Sequence, residues 1–360
     1  MIPPTIRTDL DPALERVFDR VGQVAEQVGD QFPLFADPTT GRWTTSRRGS
    51  WTGGFWAGLW WLRVAVLGGA DRNVARAWTR RLAPRATDDT ATRGMTFWYG
   101  AGSGYRLTGD LVAAEVATLG CGALAAAFDS AHQLVPFGSA FDHPHRPLKP
   151  RAVIDPLAGV VALLSGGAAA RAGLRPLARA HAARHVELCL SSEGAVRSGV
   201  FLSREKAGRG GLTGVPSWAR GQAWGMLGFA VAARDLDVEF AEPARRSALW
   251  WLERVGTSGI PHAVPADPTC PLDTSAAAIA AAALLTLATL GGPGSAEHHT
   301  VAVATVEQLV ERHLRDDGVL GQGCYDHTRD LAPAHELVWG TYFLAATLAV
   351  LSGKVQQTPW

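Results

Sequence analysis

Six stretches of this sequence are apolar nearly all the way round a helix, and each is set off from the next by a segment with one charged face. The apolar stretches run roughly 53–66, 95–108, 156–168, 220–235, 274–290 and 340–352, with "GGFWAGLWWLRVAVLG" and "TSAAAIAAAALLTLATL" as examples. A helix without a polar face must be covered on every side. The intervening segments, about 11–29, 70–84, 111–128, 174–190, 239–255 and 296–314, carry a single apolar stripe. In the first of them Leu14, Val17, Val21, Val24 and Val28 recur at helical spacing. Strand signals are scarce. Six fully covered helices alternating with six half-covered ones predict an all-α (α/α)6 barrel, an inner ring inside an outer ring. A chain of 360 residues, 47% of them hydrophobic, can fill such a core as one domain spanning residues 1–360.

The first inner segment is unusual. Between Ser50 and Leu62 it carries five aromatic rings and Gly53, Gly54 and Gly58. Glycine weakens a helix by about 1 kcal/mol relative to alanine, so these glycines are expected to let neighbouring helices approach closely. Trp60 and Trp61 point to different faces and are expected to fill core.

Loops leading into the inner helices are long and polar, such as "FADPTTGRWTTSRRGS" and "GQGCYDHTRDLAPAHELVW", whereas the opposite loops, such as "LGGADRN", are short. Function collects on long loops held by a rigid scaffold, so the site is expected at that end. The formal net charge of +1 points to neither nucleic acid nor an anionic membrane as partner. No uninterrupted apolar run is long enough for a membrane span. Cys121, Cys189, Cys270 and Cys324 form no CxxC pair, which suits free thiols in the cytoplasm. A homo-oligomer is compatible with all of this.

Two aspartates precede inner helices. Asp155, in "RAVIDPLAGVV", and Asp273, in "CPLDTSAAA", both fit helix N-caps. A cap is stabilised ionised, whereas a general acid needs a raised pKa from burial or a second carboxylate. Both readings stay open for Asp155; the cap is favoured for Asp273. Asp142, His143, His145 and His327 lack metal-ligand spacing and read as polar loop, so no metal is expected. "PSWARGQAWGMLGFA" is the most specific segment. Trp218 and Trp224 offer flat apolar faces for a sugar ring, Arg220 a fork for a carboxylate, and Gln222 a donor and an acceptor for hydroxyls.

"WTGGFWAGLWWL", "SWARGQAWGMLGFA", "DTSAAAIAAAALLTLA" and "WGTYFLAATL", in this order from about residue 43 to 353, resemble the motifs of the unsaturated glucuronyl hydrolase family. The resemblance implies an (α/α)6 barrel, no metal or organic cofactor, and a sugar substrate ending in a 4,5-unsaturated uronic acid. It implies hydration of the enol ether rather than displacement at the anomeric carbon. Asp155 in "AVID" falls on the family's acid/base position. Trp51, Trp56, Arg93, Phe141, Trp218, Arg220, Gln222, Trp224 and Trp339 become the expected substrate-binding set, with the carboxylate taken by one of Arg48, Arg93, Arg209 and Arg220.

The sequence also departs from the pattern. A family "HDxGF" element corresponds to "TRGMTFWYG", which puts Gly94 on the second aspartate and Arg93 on the histidine; Phe141 replaces a tryptophan, and the His and Gln expected ahead of "RGQAW" are unmatched. Asp155 then lacks a carboxylate neighbour unless Asp88 or Asp89 substitutes, and burial beside Phe141 and Trp224 is the expected cause of a raised pKa. Two other readings follow: a divergent bacterial enzyme of secondary metabolism that hydrates, isomerises or eliminates on a sugar-derived intermediate, and a non-catalytic sugar-binding protein.

Overall fold

In a computed structural model, residues 10–141, 151–166, 173–202, 218–256 and 259–360 are described. The inner ring consists of α2 (Gly53–Leu67), a rod made of α4 (Arg93–Phe97) and α5 (Ser103–Thr108), then α7 (Leu157–Ser165), α9 (Ala219–Asp235), α11 (Thr274–Leu290) and α13 (Val338–Leu351). Each packs on the next, and α13 closes back on α2. Outside them lie α1 (Asp11–Val28), α3 (Arg72–Leu82), α6 (Leu111–Ala126), α8 (Arg175–Cys189), α10 (Ala241–Val255) and α12 (Ser295–Arg312). This is the expected (α/α)6 barrel. α11 is buried without interruption from Thr274 to Ala288, while α1 buries one stripe that includes Leu14, Val17, Val21 and Val24.

Glycines set the inner spacing. A Cβ on Gly54 would lie 2.6 Å from the carbonyl oxygens of Met95 and Thr96, so α2 and α4 touch backbone to backbone. The second inner rod differs from a regular helix through a π turn at Trp98–Gly102. A π turn disturbs the backbone ladder, and Thr79 Oγ1 supplies the missing donor by bonding the Gly100 carbonyl at 2.8 Å. The same hydroxyl accepts from Trp61 Nε1 at 2.8 Å. Trp60 and Trp61 are both buried core.

The lumen is filled. Phe55 of α2 meets Trp224 of α9 at 6.1 Å and Phe343 of α13 at 5.9 Å, although α2 and α9 stand on opposite sides of the ring. Tyr99 stacks on Phe55 at 4.6 Å. At the C-terminal ends of the inner helices the chain terminus forms a plug that the sequence reading did not foresee. Trp360 is fully buried, its Nε1 bonds Thr286 Oγ1 at 2.8 Å, and its carbonyl accepts from Arg234 at 2.9 Å. The barrel is therefore a cup open at one end.

Two small sheets decorate the open end. β1 (Phe32–Ala36) pairs antiparallel with β2 (Trp43–Ser46) and with β5 (Glu336–Leu337); β3 (Arg151–Val153) pairs with β4 (Gly199–Phe201). A buried ion pair, Arg20 to Glu336 at 2.7 Å, ties α1 to the last of these loops.

α4 and α7 cross at Gly94 and Gly159. A Cβ on Gly94 would stand 2.6 Å from Val160 N, and one on Gly159 2.7 Å from the Gly94 carbonyl carbon. Backbone cannot yield as a flexible side chain can, so Gly94→Ala should cost about 1–3 kcal/mol, read as a lower midpoint in urea unfolding. An unchanged midpoint would show that the two helices do not approach this closely.

Candidate active site

β3 delivers Asp155 to the open end, at the turn before α7. The α7 N-cap position belongs to Pro156 rather than to Asp155. Oδ1 of Asp155 is buried and without a partner among the described residues. Burial raises its pKa from the usual carboxylate value to about 6, against the opposing pull of the Arg220 charge. A desolvated carboxyl off the N-cap position is the arrangement that proton donation needs and that a structural cap does not. Beneath the strand, His185 is packed against His181 and sets Nε2 3.2 Å from the Val153 carbonyl.

Asp273 does the opposite. It caps α11 by accepting from the N–H groups of Ser275 and Ala276 at 3.1 and 3.3 Å, and Ser275 Oγ adds a bond at 2.6 Å. Its second oxygen pairs with Arg220 at 3.1 Å. Arg220 also donates to the carbonyls of Cys324 and Tyr325. The guanidinium thus fastens α9 to α11 and to the 321–337 loop, while its face lies 3.9 Å from the Trp218 ring centroid and 5.3 Å from that of Trp339.

An aromatic wall continues from there. Trp51 and Trp339 lie 4.7 Å apart, and Trp51 Nε1 donates to Tyr325 Oη at 2.9 Å. His327 lies 6.3 Å from Trp218. Trp51, Trp218, Arg220 and Trp339 are thereby brought together, with Trp224 at the lumen floor. Trp218 presents only part of its surface, because Arg220 covers one face of the indole.

Four expected binding residues lie elsewhere. Trp56 packs edge-on against Trp60 and Trp78, at 5.9 and 5.8 Å, within the wall between α2 and α3. Gln222 is fully buried, and its amide is used up by Val196 N at 2.8 Å and by the Gly194 and Ser247 carbonyls at 2.9 Å. Arg93 bonds the Thr90 and Ala86 carbonyls at 3.0 and 2.9 Å. Phe141 is 41% exposed and packs on Phe137 at 5.8 Å. Arg48 is paired with Asp88 at 2.6 Å. Asp89 accepts from Ser139 N and Oγ at 2.9 and 2.7 Å, so neither Asp88 nor Asp89 stands in for a missing acid.

The crossing at Gly94 bears on the alignment too. A side chain on Gly94 would point into α7, not into the cup. Aligning the glycine of "HDxGF" with Gly94 moves the aspartate position to Thr92 and the histidine position to Ala91. Neither position carries a second carboxylate, and the hydroxyl of buried Thr92 bonds the Thr90 hydroxyl at 3.1 Å. Asp142, His143, His145 and Arg209 lie outside the described residues. No group of three or more metal-ligating side chains occurs among the described residues. A separate cleft of about 910 Å³, lined by Arg20, Asp37, Arg315 and Glu336, contains none of the expected site residues.

The sequence reading missed Tyr325 and Ser198. Tyr325 sits in "GCYDH", where the ring gave no periodic signal; Ser198 is treated below. A cup closed below, walled by indoles and furnished with one desolvated acid at its rim, defines a glycoside-hydrolase-like (α/α)6 barrel.

No family model matches the sequence. The unsaturated glucuronyl hydrolase of Bacillus sp. (strain GL1) is 27% identical over 369 residues, covering 95% of this chain and 97% of that protein. The crystal structure of the unsaturated glucuronyl hydrolase responsible for the degradation of glycosaminoglycan, from Bacillus sp. GL1, has a TM-score of 0.84 at 24% identity, covering 98% of this chain and 99% of that one. A variant structure with dGlcA-Glc-Rha-Glc has a TM-score of 0.86 at 24% identity, covering 97% and 98%. The chain is thus similar in sequence to an unsaturated glucuronyl hydrolase over 95% of its length and shares the fold of those enzymes.

Proposed function

We propose that this protein is an enzyme that hydrates the ring double bond of an unsaturated sugar, taking a saccharide whose terminal residue is a 4,5-unsaturated uronic acid. The observation that carries the reading is the carboxyl of Asp155, whose buried Oδ1 has no partner among the described residues and whose pKa is lifted to about 6. Protonated Asp155 gives its proton to C4. The π electrons form the new C4–H bond, and positive charge develops at C5 and the ring oxygen. The resulting carboxylate takes a proton from water as its oxygen bonds C5, which regenerates the acid. The C5 hemiketal opens and the remaining saccharide is released. Trp51, Trp218 and Trp339 hold the sugar ring, and Arg220 steadies the carboxylate form of Asp155.

The test is a Δ4,5-glucuronyl disaccharide, followed by loss of the ultraviolet absorbance of its conjugated double bond. Turnover supports the reading; an intact double bond after prolonged incubation with folded protein contradicts it. Trp218→Ala should raise KM roughly tenfold, about 1.4 kcal/mol, with a smaller effect on kcat. An unchanged KM would remove Trp218 from the binding wall.

Buried free Cys121, Cys189 and Cys324 support placement in a reducing compartment such as the cytoplasm. Among the described residues no helix is long and apolar enough to cross a membrane.

A further inference from the structure

Ser198 belongs to no motif, yet it lies across from Ile154, the residue before Asp155. Its carbonyl accepts from the Ile154 N–H at 3.1 Å, one residue before the acid, and continues the β3–β4 pairing whose last pair is Val153 with Gly199. Its hydroxyl is turned toward the first turn of α9. A Cβ on Gly221 would lie 2.5 Å from Ser198 Oγ and 2.9 Å from Trp218 Nε1, so both polar atoms flank one bare patch of helix backbone next to Arg220. Ser198 Oγ is buried and has no hydrogen-bond partner among the described residues. An unpaired buried hydroxyl costs about 1–3 kcal/mol, a cost that a structural serine has no reason to carry.

The chemistry of the other orphaned atoms narrows its role. Arg220 Nε, Trp224 Nε1 and Trp339 Nε1 are also buried and unpartnered. All three can only donate. Water that attacks C5 aims its lone pair at carbon and has two protons to place, so it needs two acceptors. Asp155, once it has protonated C4, is one. Ser198 Oγ is a second unpartnered acceptor, and it is fastened to Asp155's own strand. His327 Nδ1, also orphaned, sits on the far loop against Trp218.

Building on the hydration reading above, we infer that Ser198 holds the attacking water for Asp155. The water donates one proton to the Asp155 carboxylate, which it loses as the C5–O bond forms, and the other to Ser198 Oγ, which it keeps as the hemiketal hydroxyl. Ser198 itself exchanges no proton in the balance.

The experiment compares the native protein, Ser198→Ala and Ser198→Thr on a Δ4,5-glucuronyl disaccharide, in water and in water–methanol. Ser198→Ala should lower kcat by roughly tenfold to a hundredfold, leave KM where it is and, by removing an unpaired buried hydroxyl, raise the unfolding midpoint. Ser198→Thr, which keeps the hydroxyl, should recover most of kcat. Methanol has one proton and gains nothing from a second acceptor, so the alanine variant should give a several-fold larger share of the C5 methyl ketal. That adduct keeps its saccharide, because no C5 hydroxyl is left to drive opening, and mass spectrometry reads it directly. Native-like kcat and an unchanged methanol share in Ser198→Ala would overturn the role of Ser198 while leaving the hydration reading standing. A native protein that leaves the double bond intact would overturn both.

Discussion

Asp155→Asn should reduce hydration by about 10²–10⁴-fold, the usual contribution of a positioned acid–base group, and at the same time stabilise the folded protein at pH 8. The carboxyl has a pKa near 6 in the folded state, against 3.8 as its ordinary value. The folded state therefore binds more protons than the unfolded state between these two values, and stability falls as pH rises through that window. Above pH 6 the full cost of the buried charge is present; below pH 4 it is absent. Asparagine removes it. Two pKa units correspond to about 3 kcal/mol, and partial solvent access reduces this to about 1–2 kcal/mol. Urea unfolding should show Asp155→Asn more stable than the native protein at pH 8 and indistinguishable at pH 4. The same protonation governs rate: kcat/KM should be level below pH 6 and fall about tenfold per unit above it. Equal stability at pH 8 would mean that Asp155 is not desolvated.

Arg220→Ala should be the most damaging single change at the open end. It leaves Asp273 buried and without its cation, and removes the donor for the Cys324 and Tyr325 carbonyls. Breaking one side of a buried pair costs about 3–5 kcal/mol. The same change removes the charge that pulls down the Asp155 pKa, so in any folded fraction the fall of kcat/KM should begin above pH 6. Arg220→Lys should recover only part of the stability, because a point charge cannot serve a carboxylate and two carbonyls in one fork. Stability within 1 kcal/mol of native in Arg220→Ala, a margin set by ordinary surface substitutions, would show that the pair does not organise the cup.

The barrel was legible because burial imposes a period. Helices such as α11, covered on all sides, cannot hide that need in sequence, and the one-sided stripe of α1 fixes its place outside. The positions of Asp155 and of the Trp218–Arg220 pair at the open end were also legible, since each lies where a long loop meets an inner helix. What failed was direction round a helix that is apolar everywhere. Nothing in "GGFWAGLWWL" says that Phe55 faces the lumen while Trp56 faces α3. Gln222 and Arg93 look like ligand groups in sequence, but backbone carbonyls and amides from other segments claim them. Gly94 was read as a lost aspartate, when the absence of a side chain is itself what α7 requires there. The plug formed by Trp360 rests on contacts with Thr286 and Arg234, and no local pattern announces those.

The most direct test of the central claim follows both ends of the substrate in one reaction. A Δ4,5-glucuronyl disaccharide is incubated with the protein in D2O, and nuclear magnetic resonance counts the double bonds lost, the deuterium gained at C4 and the saccharide released. Hydration initiated by Asp155 predicts one double bond lost for each saccharide freed, with deuterium newly bound at C4, and none of this in Asp155→Asn. Saccharide released with the double bond intact would place the chemistry at the anomeric carbon and contradict the account.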